Sequence, residues 1–291
     1  GDDTQIMYVW FDALSNYINA LGYAEDAPEF QKFWLQTDQE KREVLHVLGK
    51  GVARFHLVYW LGMLLSAKIP LPTDQFVHGY ITVNGEKMSK SLGNVLNPVD
   101  VVEHYGQEPT RYYFLRAISA FQDGDFSDER FKELYTSDLV NGIGNLTSRI
   151  LTMLEKYADA KIPAQAQDIF DTKNFWKTYH QHFENYAFHD LTDHVQSLVR
   201  AADGVISEQE PWKKVKEGED VSQLLYQLVE VLRHISIAFL PIIPNSAEDI
   251  LNRLGITISE ADTLEQLSNW GGLKEGSSVE KGEPLFNRLE K

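Results

Sequence analysis

The chain has 291 residues, enough for two domains and more than one small core needs. Its 43 acidic and 27 basic residues leave a formal charge of −16, which argues against diffuse nucleic-acid binding and against a DNA partner. The absence of cysteine excludes disulfides and thiolate metal sites, zinc included. No apolar run reaches the roughly 18 residues of a membrane span, so a cytoplasmic protein with no membrane partner is expected.

The chain opens on Gly1 without an initiator methionine, and an apolar run starts almost at once, so a longer parent protein is expected. Residues 5–12, with Met7-Tyr8-Val9-Trp10-Phe11, read as a buried strand. Residues 44–48 read as a second strand, stopped by Gly49-Lys50-Gly51. A helix is predicted over 52–67, with Val52, Phe55, Tyr59 and Met63 at helical spacing. This strand, glycine turn and helix is how a parallel α/β sheet presents a phosphate or ribose site. A third strand is predicted over 75–83 and a polar loop over 84–94. Beyond residue 98 strands are expected to disappear. Short helices are predicted at 98–105 and 109–119, and a turn and domain junction at Asp123-Gly124-Asp125. Apolar stripes then recur at Leu139, Ile143, Leu146, Ile150 and Leu154, at Phe188, Leu191, Val195, Leu198 and Ala202, and from Leu224 to Phe239. Each stripe must be buried against another helix, so 128–255 reads as a helix bundle with a loop-rich tail. The histidines at 180, 182, 189 and 194 lack the spacing of a metal site.

The chemical motifs begin with Lys87-Met88-Ser89-Lys90-Ser91, followed by Leu92-Gly93-Asn94. Two lysines three residues apart on a small polar loop can reach polyphosphate oxygens. The whole string resembles the second signature of class I aminoacyl-tRNA synthetases. Tyr8-Val9-Trp10-Phe11-Asp12-Ala13, with Tyr17 beyond it, is similar to the methionine-pocket segment of the methionyl-tRNA synthetases. The stretch from His46 to His56 resembles a further segment of that family, except that Gly51 stands where the family usually has an aspartate. In the bundle, Asn145-Leu146-Thr147-Ser148-Arg149 and Glu210-Pro211-Trp212 are similar to the family's anticodon-binding signatures.

The resemblance implies the C-terminal half of a Rossmann-like class I catalytic domain, an α/β unit, followed by an all-α anticodon-binding helix bundle. It divides the chain into catalytic residues 1–95, connecting residues 96–127 and anticodon-binding residues 128–291. Carried onto this sequence, it makes Lys87, Ser89 and Lys90 catalytic, with Lys90, Lys87 and Gly49 on ATP. Trp10, Ala13, Tyr17, Val52 and His56 would hold methionine, whose soft thioether suits aromatic faces. Asn145, Arg149 and Trp212 would read the tRNA. Asn145 and Arg149 share a face off the apolar stripe, where an amide and a guanidinium can pair with base edges. ATP with Mg²⁺, methionine and a methionine tRNA are the implied partners, and no zinc is expected in this portion. The first class I signature, H-I-G-H, is absent from the chain, so the chain alone is expected to be inactive. The alternatives are a free-standing tRNA-binding or assembly module, or another class I synthetase.

Overall fold

The computed structural model describes residues 2–35, 43–89, 93 and 95–289. They form two compact units, one of residues 1–81 with 120–124 and one of residues 82–119 with 125–291.

In the first unit the predicted strand over 5–12 is instead the start of a helix, α1 (Val9–Asn19). Leu14 and Ile18 lie one turn apart and are buried, with Phe30, Trp34, Trp60, Leu64 and Ile69, in one apolar cluster. A short apolar run fits strand and helix alike, and the partners along one face decide for the helix. A short helix α2 (Pro28–Phe33) follows, with proline at its first turn. Strand β1 (Leu45–Gly49) lies where the second strand was predicted and pairs in parallel with β2 (Asp74–His78), Gly49 opposite His78.

The predicted helix over 52–67 is built in three pieces. A 3₁₀ turn (Lys50–Val52) leads into a π-helical stretch (Phe55–Trp60) and then α3 (Leu61–Ala67). The predicted third strand breaks at Gly79-Tyr80, so that β2 ends and β3 (Ile81–Val83) begins. The reason is a close chain crossing: a Cβ on Gly79 would lie 2.0 Å from the Gln122 carbonyl oxygen. The Tyr80 N–H is turned to the Asp123 carboxylate instead, at 2.8 Å.

In the second unit β3 turns back into β4 (Glu86–Lys87) through Asn84 and Gly85, both at positive φ (51° and 78°). This is the two-residue hairpin that Asn-Gly favours, inside what reads as a polar loop. Strands do not end at residue 98. The predicted turn at Asp123–Asp125 instead runs into β5 (Gly124–Phe126), the third strand of a sheet ordered β4-β3-β5. Helices α4 (Pro98–Tyr105) and α5 (Gln107–Ala117) match expectation, and Asn97 caps α4 by accepting from the Val99 N–H.

The bundle comprises α6 (Asp128–Leu134), a π-helical stretch (Tyr135–Gly144), α7 (Asn145–Tyr157), α8 (Thr172–Glu184), α9 (Phe188–Gln209), α10 (Pro211–Lys216), α11 (Ser222–Phe239) and α12 (Pro244–Arg253). The stripe from Leu139 to Leu154 is buried throughout. The tail contains a short helix, α13 (Leu264–Leu267), and returns along the bundle. Ser277 accepts from the Ile162 N–H, Val279 donates to Ala160, and the Tyr135 hydroxyl donates to the Asn287 carbonyl at 2.7 Å. Among the described residues no helix is long and apolar enough to cross a membrane.

Candidate functional site

Helix α1 carries Trp10, Ala13 and Tyr17 at spacings of three and four, so all three share one face. That face meets the π-helical stretch. Trp10 stacks on Phe55 with ring centroids 4.3 Å apart, and the Tyr17 hydroxyl lies 2.8 Å from His56 Nε2. The other ring nitrogen, His56 Nδ1, lies 3.0 Å from the Val52 carbonyl oxygen. A carbonyl only accepts, so Nδ1 carries a proton there, and the Tyr17 hydroxyl lies against Nε2. His56 is thereby fixed at both nitrogens. Ala13 is exposed beside these rings, and its methyl group leaves room for a small apolar guest.

Behind this face sit two groups that sequence reading passed over. The buried Trp60 donates its indole N–H toward His46 Nε2 at 3.4 Å, and His46 meets Tyr17 edge-on at 4.5 Å. Burial and the neighbouring His56 lower the His46 pKa, which keeps its ring neutral and able to accept from Trp60. The signal for Trp60 was present: it lies four residues beyond His56. A regular helix would have been assumed there, and a π-helical stretch, often found at functional sites, redirects its side chains. An apolar cleft of about 740 Å³ flanks the cluster between α1 and residues 58–69. Trp10 and Trp60 border it, but Ala13, Tyr17 and His56 do not, so the polar chemistry lies on the other flank of α1.

Gly49 ends β1, and the next residue, Lys50, reaches the Asp123 carboxylate at 2.5 Å with the Tyr80 ring beneath it at 4.4 Å. The Lys50 side chain first, and then the Tyr80 N–H, hold the Asp123 pKa below its usual value. In the second unit Lys87 is exposed on β4 and Ser89 is half-buried just beyond it, while Met88 Sδ accepts from the Leu96 N–H at 3.4 Å. Lys90 lies outside the described residues, as do Ser91, Leu92 and Asn94.

In the bundle, Asn145 opens α7 on the exposed side, and Arg149 lies one turn on, half-buried and ion-paired with Asp203 of α9. Helix α9 ends at Glu210, whose φ of 42° turns the chain into α10. Trp212 is the second residue of α10, half-buried, and three lysines (213, 214 and 216) follow it. Asp203 precedes Glu210 by seven residues, about 10 Å along a helix. Asn145 and Arg149 therefore share one stretch of α7, and Trp212 follows beyond the end of α9. Of the bundle histidines, His194 Nε2 faces the Phe175 carbonyl, His189 Nδ1 faces that of Arg116, and the His182 and His194 rings lie 5.8 Å apart.

A family profile described as tRNA synthetases class I (M) matches residues 1–151. The chain belongs to the methionyl-tRNA synthetase family. It is 38% identical over 298 residues to a methionine-tRNA ligase of Thermotoga maritima, covering 99% of this chain and 46% of that protein. It is also 38% identical over 307 residues to one from Thermosynechococcus vestitus, covering 99% of this chain and 57% of the relative. The Mycobacterium tuberculosis methionyl-tRNA synthetase bound by methionyl-adenylate superposes with a TM-score of 0.84 at 31% identity, over 97% of this chain and 56% of that one. The chain thus spans about half the length of the methionyl-tRNA synthetases it matches, and its fold is that of a class I synthetase.

Proposed function

We propose that the parent protein joins methionine to its tRNA through methionyl-adenylate, and that this chain supplies the methionine pocket, the lysine loop and the anticodon surface. The observation that carries this reading is the assembled face of Trp10, Ala13, Tyr17 and His56, closed behind by Phe55 and Trp60. Such a face suits a thioether, and Val52 serves it by holding His56 with its carbonyl. A methionine carboxylate oxygen attacks the α-phosphorus of ATP, and the bond to the bridging oxygen breaks to release pyrophosphate. Lys90, supported by Lys87 and Ser89, meets the charge that develops on that leaving group. A hydroxyl of the tRNA's terminal adenosine then attacks the methionyl carbonyl and AMP leaves. Magnesium belongs with the ATP phosphates, since a site of one or two carboxylates completed by phosphate is its usual setting. No cluster of three or more His, Asp or Glu suited to a metal occurs among the described residues.

The reading assigns catalysis to residues 1–95, connection to 96–127 and anticodon binding to 128–291. Methionine-dependent exchange of pyrophosphate into ATP tests it. The full-length protein is expected to exchange, and the 291-residue chain, which has no H-I-G-H, is not. Exchange by another amino acid, or none by the full-length protein, would overturn the assignment.

The bundle's role has its own test. At a net charge of −16, affinity for RNA must come from local contacts: stacking on Trp212, lysines beside it on the phosphates, and base edges met by Asn145 and Arg149. Arg149 is held by Asp203 in the free chain, so RNA must exchange that partner. Trp212→Ala is expected to weaken binding of a CAU anticodon stem-loop by about tenfold, consistent with roughly 1–3 kcal/mol for a stacked base. Arg149→Ala should also reduce the preference for CAU over other triplets. Circular dichroism and melting temperature should stay unchanged. Wild-type binding by Trp212→Ala and Arg149→Ala would show these residues to be structural.

A further inference from the structure

One buried histidine has no part in the reading above. Burial alternates along β1, with Leu45 and Val47 exposed and His46 and Leu48 buried. The pleat therefore aims His46 to the covered side of the strand, where Leu48 shows that an apolar side chain also fits. His46 is only 6% exposed, and a buried polar ring costs folding free energy unless it is bonded. Its bond comes from Trp60, which donates its indole N–H to Nε2 at 3.4 Å. Rings from separate parts of the chain surround it. Tyr17 of α1 meets it edge-on with centroids 4.5 Å apart, Trp34 beyond α2 does so at 5.9 Å, and His56 of the π-helical stretch stands at 6.2 Å. The residues it touches are those that face the apolar guest. Trp60 borders the cleft beside Trp10 and lies 6.0 Å from the Tyr17 ring, and the Tyr17 hydroxyl reaches His56. His46 itself does not border the cleft. A buried indole N–H takes an acceptor wherever one is within reach, so the imidazole nitrogen sets how the Trp60 ring lies.

We propose that His46 is a positioning residue for methionine binding: its Nε2 fixes the Trp60 indole and its ring fixes Tyr17, so that both hold their faces toward the methionine side chain. This rests on the methionine-dependent reading above. His46 acts through these two rings and makes no contact of its own with the substrate. Its polar nitrogen, and not its bulk, is what the role requires, because a ring of similar size without an acceptor leaves the indole N–H buried and unbonded.

The test is amino-acid activation by the full-length protein, followed as pyrophosphate exchange at varied methionine and at varied ATP. His46→Phe fills the space with a ring that cannot accept. It is expected to raise the KM for methionine about fivefold, the scale of one lost buried hydrogen bond, with kcat and the KM for ATP changed less than about twofold. His46→Gln carries an amide that reaches the place of Nε2, and should bring the methionine KM back to within about twofold of wild type. His46→Asn, one carbon shorter, should not. A methionine KM in His46→Phe within about twofold of wild type would overturn the proposal. So would an equal rise in the KM for methionine and for ATP, or a His46→Gln no better than His46→Asn, either of which would reduce His46 to a filler of the core. Should His46→Phe fail to fold, as judged by circular dichroism, the comparison of His46→Gln with His46→Asn decides in the same way. Failure of the wild-type protein to activate methionine would strike the underlying reading instead, and is seen before any variant is made.

Discussion

Replacing Arg233 with methionine is expected to cost the helical unit about 3 kcal/mol or more and to lower its melting temperature by roughly 10 °C. Arg233, Glu230 and His234 lie on α11 and are all essentially removed from solvent. Glu230 Oε1 accepts from Arg233 Nε at 3.0 Å and Nη2 at 2.5 Å, and from the backbone N–H groups of Gly271 and Gly272 at 2.8 and 2.9 Å. Arg233 also donates to the Leu267 and Asn269 carbonyls at 2.6 Å. The pair is therefore the clasp between α11 and the returning tail. Gly272 is required there, because a Cβ would stand 2.6 Å from the Arg233 guanidinium carbon. Without Arg233 a buried carboxylate keeps amide donors but no countercharge, which is the costly case. The double variant Glu230→Gln/Arg233→Met should be less destabilised than Arg233→Met alone, and calorimetry of the four proteins gives the coupling. Equal melting temperatures for wild type and Arg233→Met would show that the clasp contributes nothing.

The same network sets the response to acid. Burial by itself would raise the Glu230 pKa, but the bonds from His234 and Arg233 and the arginine charge outweigh it and bring it from 4.5 to about 2. His234 is shifted down from 6.5, chiefly by burial. Its Nδ1 accepts from the Trp176 indole at 2.8 Å, so its proton sits on Nε2, facing Glu230. Both folded-state values lie below the unfolded ones, so the folded chain binds fewer protons. The stabilisation is complete above about pH 6.5. The His234 part is lost as pH falls below 6.5, and the Glu230 part as it falls from 4.5 toward 2. Melting temperature should thus decline on acidification in two stages, and Arg233→Met should flatten the lower one.

Lys90→Ala in the full-length protein is expected to slow adenylate formation on the order of a hundredfold, equivalent to about 3 kcal/mol. Methionine binding should change little, because a lysine that meets charge on departing pyrophosphate acts mainly in the transition state. Lys87→Ala, removing a supporting side chain, should cost less. Pre-steady-state adenylation by Lys90→Ala within threefold of wild type would reject the role.

What the sequence by itself determined here was local. The string from Lys87 to Asn94 is legible because its chemistry lies in consecutive residues. The bundle stripes are legible because a helix repeats its buried face every three or four positions, as from Leu139 to Leu154. Residues 5–12 were misread because Met7-Tyr8-Val9-Trp10-Phe11 satisfies a strand in isolation. Only Phe30, Trp34, Trp60, Leu64 and Ile69, which bury Leu14 and Ile18 along one helical face, make the helix the better burial.

Tertiary structure alone decided the rest. Arg149 reads as a polar flank until Asp203, 54 residues away, is seen to hold it. Glu230 and Arg233 carry no signal of burial in the sequence, yet the returning tail covers them and supplies their backbone partners. Gly51 is a bare glycine in the sequence, and only the fold brings the Tyr80 hydroxyl to 2.9 Å from where its side chain would begin. The physical reason is common to all three. Periodicity and short motifs record what a residue does with neighbours a few positions away. Burial of a charge, or the filling of a missing side chain's volume, depends on groups that only the folded chain brings within hydrogen-bonding distance.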